Sequence, residues 1–187
     1  MLIAIISDVH DNIPNLKKVL DYCAQNQIEK IICCGDLASL ETLDYLNDNF
    51  AGEIFFVFGN MDDDYLKNYP FENNQYKNTK IFKDFGETEI AGRKVAFTHF
   101  PKIAKELCLP RGSKATLRGE TGKYNFVFHG HTHKPWVASV ETTADQAQKK
   151  CTLLNPGNVA NQYYPPSFAS WDTNSNNFQL IRINTLS

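Results

Sequence analysis

Leu2-Ile3-Ala4-Ile5-Ile6-Ser7-Asp8-Val9-His10-Asp11-Asn12-Ile13-Pro14 passes from a β-rich apolar run, through a polar loop, into the start of a helix. Pro14 suits a first helical turn, where its missing N–H would be unpaired anyway, and Asn12 suits the cap before it. Leu16, Val19, Leu20 and Cys23 follow at helical spacing and give one buried stripe. The alternation then repeats. Lys30–Cys34 reads as a second strand ending in Gly35-Asp36, and Leu40, Leu43, Leu46 and Phe50 mark a second helix. Glu53–Phe58 reads as a third strand ending in Gly59-Asn60. Strands alternating with helices imply parallel pairing with right-handed crossovers. Ligands of such sheets gather beyond the carboxyl ends of the strands, where Asp8, His10, Asp36 and Asn60 all fall.

After Asp62 the pattern changes. Asp63–Lys80 is polar and turn-rich, with little periodicity. Glu87–Ile90 and Lys94–Phe97 flank Ala91-Gly92-Arg93 as a hairpin, and Pro101–Leu109 reads as a helix ending at Pro110. Tyr124–Phe128, Val137–Glu141, Cys151–Leu154, Phe168–Trp171 and Phe178–Ile183 read as strands, so a mainly antiparallel second half is expected. The fold class is α/β, with two β-sheets packed face to face and flanked by helices. No linker, repeat or low-complexity stretch divides the chain, and its 187 residues suit one domain, 1–187.

A hydrophobic content of 42% with 12% aromatics is ordinary for a globular protein. The net charge of −2 and a pI near 6.2 give no support for binding long nucleic acid, which needs a large cationic surface. The five cysteines (Cys23, Cys33, Cys34, Cys108, Cys151) form no CxxC pair and are odd in number. That argues against a disulfide scaffold and for a reducing, cytoplasmic setting. Met1–Ile6 is apolar but lacks a basic flank and meets Asp8 at once, so neither a signal peptide nor a membrane span is expected.

The polar residues at the ends of the apolar runs carry the chemistry. His10 lies in Ser7-Asp8-Val9-His10, His99 follows Thr98, and His129, His131 and His133 crowd into Phe128-His129-Gly130-His131-Thr132-His133. With Gly35-Asp36 and Gly59-Asn60-Met61-Asp62, five segments end in carboxylate, amide or imidazole groups. That inventory suits two adjacent divalent cations sharing a ligand, an arrangement that cleaves phosphoesters. Singly, an Asp at a strand end caps a helix or closes a turn, and a buried histidine is a hydrogen-bonded core residue. His129 is assigned to that ordinary role, and Asp11 to closing its turn. A tight loop, with Gly130 allowing the turn, is needed to bring His131 and His133 to neighbouring ions.

Asp8-Val9-His10, Gly35-Asp36, Gly59-Asn60-x-Asp62, His99 and Gly130-His131-Thr132-His133 occur in this order in the calcineurin-like metallophosphoesterases. The chain resembles the small single-domain prokaryotic phosphodiesterases of that family from Ile3 to about Asp172, including Asn155-Pro156-Gly157 and Pro165-Pro166-Ser167-Phe168-Ala169. The resemblance implies a four-layer α/β/β/α sandwich. It implies one ion held by Asp8, His10, Asp36 and His133, and another by Asp36, Asn60, His99 and His131, with Asp36 between them. Oxygen and imidazole donors without thiolate suit Mn²⁺ first, with Fe, Zn²⁺, Ni²⁺ or Co²⁺ as alternatives. The implied reaction is hydrolysis of a small phosphodiester through a metal-bound hydroxide, with Asp36, Asn60 and Asp62 in the catalytic set. No GxSxG nucleophile elbow is present.

Two positions depart from the family pattern. Met61 stands where many members carry a histidine that assists the leaving group, and a thioether has no proton to give. Phe100-Pro101 replaces the glycine that commonly follows His99 and reshapes the rim of the site. Lys102, Lys105, Arg111, Lys114, Arg118 and Lys123 form a locally basic stretch from which Arg111 or Arg118 could clamp a phosphate, although a solvated face explains them as well. A phosphomonoesterase of the same chemistry and a protein-binding scaffold are the rival functions. A homodimer is one reading, with Tyr163-Tyr164-Pro165-Pro166 or Phe55–Phe58 available for the contact, and core packing explains both segments equally well.

Overall fold

The computed structural model describes residues 1–68, 76–109, 123–141 and 150–186. Its first half follows the alternation: β1 (Leu2–Ile6), α1 (Ile13–Gln25), β2 (Lys30–Cys33), α2 (Leu40–Asp48) and β3 (Glu53–Val57). The Asn12 side chain caps α1 by accepting the Asn15 N–H at 3.1 Å, and Ser39 caps α2 through the Thr42 N–H at 3.3 Å. The buried stripe of α1 is Leu16, Val19, Leu20 and Cys23. The chain continues through α3 (Asp64–Asn68), β4 (Thr79–Phe82), β5 (Phe85–Ile90), β6 (Arg93–Thr98), α4 (Pro101–Cys108) and β7 (Phe126–Phe128). It ends with β8 (Trp136–Glu141), β9 (Lys150–Asn155), β10 (Ser167–Asp172) and β11 (Asn177–Arg182).

The strands form two mixed sheets, ordered β11-β10-β1-β2-β3-β4 and β5-β6-β7-β9-β8. Side-chain alternation along β1 shows why they stack. Ala4 and Ile6 face α1 and α2, whereas Ile3 and Ile5 face the second sheet with Phe97, Phe128 and Trp171. On the far side of the second sheet, Ala96, Val127, Cys151 and Leu153 meet Ala104, Leu107 and Cys108 of α4. Helices therefore cover both outer faces of a two-sheet core, as expected for the α/β/β/α sandwich. No helix among the described residues is long and apolar enough to cross a membrane.

Four features correct the sequence reading. The aperiodic segment after Asp63 contains α3 and β4, and β4 pairs parallel with β3; its sheet partner, not its own periodicity, makes Thr79–Phe82 a strand. The second half is mainly antiparallel, as read, through β5–β6, β8–β9, β10–β11 and β1–β10, but the centre of the second sheet is not: there β7 pairs parallel with β6 and β9. The α4 crossover between β6 and β7 makes that parallel pairing possible. Cys108 and Cys151 form a disulfide between α4 and β9, a contact made by packing across 43 residues and invisible to spacing motifs. Phe55, Phe56 and Phe58 are buried and divided between the two faces of the first sheet, so of the two readings of this segment core packing holds and the interface does not.

Trp171 is fully buried between the sheets, with its ring 4.7 Å from Phe126 and 5.8 Å from Phe178. Trp171→Ala is expected to lower unfolding stability by about 3–5 kcal/mol in urea denaturation, since the cavity lies where neither sheet can collapse into it.

Candidate metal centre

The loops at the carboxyl ends of β1, β2 and β3 are bound to one another by backbone. The Asp8 N–H reaches the Gly35 carbonyl at 3.0 Å, and the Val9 and His10 N–H groups share the Asp36 carbonyl at 2.8 and 3.0 Å. Asp62 fastens the third loop. Its carboxylate accepts the backbone N–H groups of Gly59 at 2.5 Å, Ala38 at 2.9 Å and Asp36 at 3.2 Å. Burial raises the pKa of Asp62, and these donors offset the rise only in part. Asp11 sits in its turn as expected and also accepts from Ser39 Oγ at 2.6 Å and Thr42 Oγ1 at 2.5 Å, tying the first loop to the start of α2.

Asp8, His10, Asp36, His131 and His133 all have left-handed backbones, with φ of 56°, 45°, 57°, 71° and 58°. Each such non-glycine residue costs of order 1 kcal/mol and persists where its surroundings impose it, a pattern concentrated at ligand sites. The role expected of Gly130 is corrected here: the left-handed turns belong to His131 and His133 themselves. Gly130 is required for close approach instead, because a Cβ there would lie 1.8 Å from Ser7 Oγ and 2.7 Å from Asp8 Oδ2. A Cβ on Gly59 would likewise lie 2.0 Å from Asp36 Oδ1.

All seven expected ligand side chains converge. His99 Nε2 lies 3.0 Å from Asn60 Oδ1, 3.3 Å from Asp36 Oδ2 and 3.2 Å from His131 Nδ1, which is itself 2.8 Å from Asn60 Oδ1. On the other side, His133 Nε2 lies 3.2 Å from Asp8 Oδ1, and His10 Nε2 lies 3.7 Å from Asp36 Oδ2 and 4.0 Å from Asp8 Oδ1. Neighbouring donors around one ion, each at about 2.0–2.2 Å from it, sit about 3 Å apart. Asp8, His10 and His133 form one compact donor group, and Asp8, Asp36 and His99 another. Asp8 and His131 are 123 residues apart, yet the His131 N–H donates to both Asp8 oxygens, at 3.1 and 3.2 Å.

The donor set fits a metal on its own chemistry. His10 Nε2 is buried without a hydrogen-bond partner while facing two carboxylates. His99 Nδ1 and His133 Nδ1 face the carbonyls of Cys34 and Gln162 at 2.9 and 3.3 Å. A carbonyl only accepts, so those nitrogens hold protons, and in the neutral imidazoles the Nε2 lone pairs face the cluster, free for a cation; in the protonated form Nε2 donates to the carboxylates instead. Burial raises the Asp36 carboxyl, but the hydrogen bond and charge of His99 and the Met61 N–H outweigh it and leave it below the ordinary carboxylate range. Burial lowers His99, and the Asp36 and Asp8 carboxylates more than reverse this; His133 is raised chiefly by its hydrogen bond to Asp8. Burial and the neighbouring His99 lower His131.

His129 takes the core role expected of it. It is buried, its ring lies 5.2 Å from Trp136, Nδ1 bonds the Gly130 carbonyl at 2.9 Å, and burial pushes its pKa down to about 4. Two residues to which the sequence reading gave no role hold the histidine loop. Asn155 Nδ2 donates to the Gly130 carbonyl at 2.9 Å and to Thr132 Oγ1 at 3.0 Å. Buried Asn158 donates to the His133 carbonyl at 3.3 Å. The Asn155-Pro156-Gly157 motif signalled the first, and nothing local signalled the second. Arg111, Lys114 and Arg118 lie outside the described residues, and Lys123 pairs with Glu87 at 2.8 Å.

A family model described as the calcineurin-like phosphoesterase superfamily domain matches residues 1–176. The chain belongs to the calcineurin-like phosphoesterases. It is 28% identical over 164 residues to phosphodiesterase MJ0936 of Methanocaldococcus jannaschii, covering 84% of this chain and 83% of that protein. It is 30% identical over 161 residues to the probable metallophosphoesterase MJ0623 of the same organism, covering 84% of this chain and 67% of that one. The solved structure of an archaeal phosphodiesterase superposes with a TM-score of 0.77 at 26% identity, over 97% of this chain and 99% of that one. This phosphoesterase is therefore a metal-dependent hydrolase.

Gly130→Ala in this phosphoesterase is expected to displace Ser7 and Asp8 and to weaken metal binding by about tenfold or more, the loss typical when a ligand's support is disturbed. Metal titration followed by elemental analysis checks this; retention of the parent affinity would refute the close-approach role.

Proposed function

We propose that this phosphoesterase hydrolyses small phosphodiesters, with two divalent cations held between Asp8, His10, Asp36 and His133 on one side and Asp36, Asn60, His99 and His131 on the other. The convergence of these seven side chains around Asp36 carries the reading, with Asp36 Oδ2 facing both His10 and His99. Mn²⁺ is the proposed native ion, with residues 1–187 acting as one domain; the Cys108–Cys151 disulfide removes the argument that pointed to a reducing, cytoplasmic compartment. Divalent cations held there would polarise a phosphoryl oxygen and lower the pKa of bound water to near ~7.

The chain's own groups set the preference for substrate. Asn60 and Asp36 supply oxygen donors at the centre, and the Met61 N–H fixes Asp36 through Oδ1 at 2.8 Å. The Met61 side chain is 55% exposed beside Asn60 and has no proton to donate. Asp62 belongs to the catalytic set as a positioning residue, because its oxygens accept from three backbone N–H groups. The leaving group thus departs without an acid from this position, and such acids are typically worth ~10²–10⁴-fold. Aryl and cyclic phosphodiesters, whose leaving groups need little assistance, fit best. The relatives described as phosphodiesterases support the diester over the monoester.

The Mn²⁺-reconstituted protein should turn over bis(p-nitrophenyl) phosphate faster than p-nitrophenyl phosphate, and Asp36→Asn should lower that rate by about 10²-fold or more. Across substituted aryl phosphodiesters the rate should fall steeply with leaving-group pKa, and Met61→His should flatten the dependence. Parent-level turnover in Asp36→Asn would place the activity elsewhere. No turnover at all with any divalent ion would favour the scaffold reading.

A further inference from the structure

The loop following Asn158 brings an aromatic side chain to the edge of the metal centre. Tyr163 is 90% exposed, yet its ring packs edge-on against that of His133, with centroids 5.3 Å apart. Its position is rigidly imposed. The Tyr164 N–H donates to the Gln162 carbonyl at 2.7 Å across Tyr163, whose φ is 63°, so Tyr163 is the central residue of a positive-φ γ-turn. Such turns are rare and strained for a residue with a Cβ.

Buried Asn158 holds the turn from below. Its Oδ1 accepts the Gln162 N–H at 2.9 Å, and its Nδ2 donates to the Tyr164 carbonyl at 3.2 Å as well as to the His133 carbonyl. Pro165 and Pro166 follow and restrict the chain further. One buried amide thereby fixes Tyr163 relative to a metal-facing histidine.

The surroundings show what the ring is placed for. Phe100 lies against His99 and His131 with centroids 5.0 and 5.5 Å away, so that ring is a half-buried wall of the centre. Tyr163 instead stands at a boundary. One side touches His133, and the other forms a wall, with Asn15, Lys18 and Pro165, of an open groove of about 650 Å³. That volume is in the range of small-molecule sites. None of the seven candidate ligands lines that groove, and Tyr163 is the side chain that touches both the groove and, through His133, the edge of the centre.

We propose that Tyr163 is a specificity-determining residue whose ring stacks on the planar aromatic substituent, aryl or nucleobase, of a phosphate ester held at the metal centre. The inference rests on the phosphoesterase reading and names the class of substrate for that site. Stacking of this kind is worth about five- to tenfold in affinity at a partly exposed face.

Phenylphosphonate and methylphosphonate test it without turnover, since neither carries an ester bond. Both should bind the Mn²⁺-reconstituted protein in calorimetry, the phenyl compound more tightly. Tyr163→Ala should reduce the phenyl-over-methyl preference about five- to tenfold, while Tyr163→Phe and Tyr163→Trp keep it within about twofold. An unchanged preference in Tyr163→Ala overturns the assignment and leaves the phosphoesterase reading intact. So does an unchanged preference accompanied by a smaller oligomer in light scattering, which would make Tyr163 a contact between copies. Failure of both phosphonates to bind the parent protein overturns the phosphoryl site itself, and the inference with it.

Discussion

Two carboxylates, Asp8 and Asp36, are buried side by side at the ends of adjacent parallel strands, and the rest of the structure is arranged around that charge. An unpaired buried carboxylate is costly, so each must be met by donors or cations. Backbone N–H groups of His131 and Met61 meet part of the need, and imidazoles surround the remainder. A pair of cations would satisfy the rest while turning otherwise mutually repelling lone pairs into ligands. The left-handed backbones of five of the proposed ligand residues and the close approaches at Gly59 and Gly130 accompany that crowding.

Asp62 and Asn158 show how the crowding is stabilised. Neither faces the centre of the donor cluster. Asp62 closes the β2 and β3 loops on each other through three backbone donors, and Asn158 joins the histidine loop to the tyrosine turn. Buried polar groups that are fully hydrogen-bonded specify one arrangement of backbone, and a site assembled from several loops needs that more than it needs strength. Met61 and Tyr163 are the complement: exposed residues carried on the same frame.

The β1–α1–β2–α2–β3 segment was legible because each element carries a local signal, such as the Leu16-Val19-Leu20-Cys23 stripe and the Asn12 cap. The donor set was legible as five spaced motifs, since its residue types betray the chemistry before any geometry is known. β4 was not, because Thr79–Phe82 becomes a strand by pairing with the edge of β3. The Cys108–Cys151 link and the parallel centre of the second sheet depend in the same way on tertiary placement. Gly130 was singled out correctly for the wrong reason: it was expected to allow the tight loop that brings His131 and His133 together, while the constraint is the distance to Ser7 and Asp8. The left-handed φ of Tyr163 has no sequence signature at all.

Anomalous diffraction at the manganese edge, from crystals of the Mn²⁺-soaked protein, tests the central claim most directly. Two peaks about 3.5–4 Å apart with the Asp36 carboxylate between them are expected. One peak, or peaks away from Asp36, would contradict the dinuclear account.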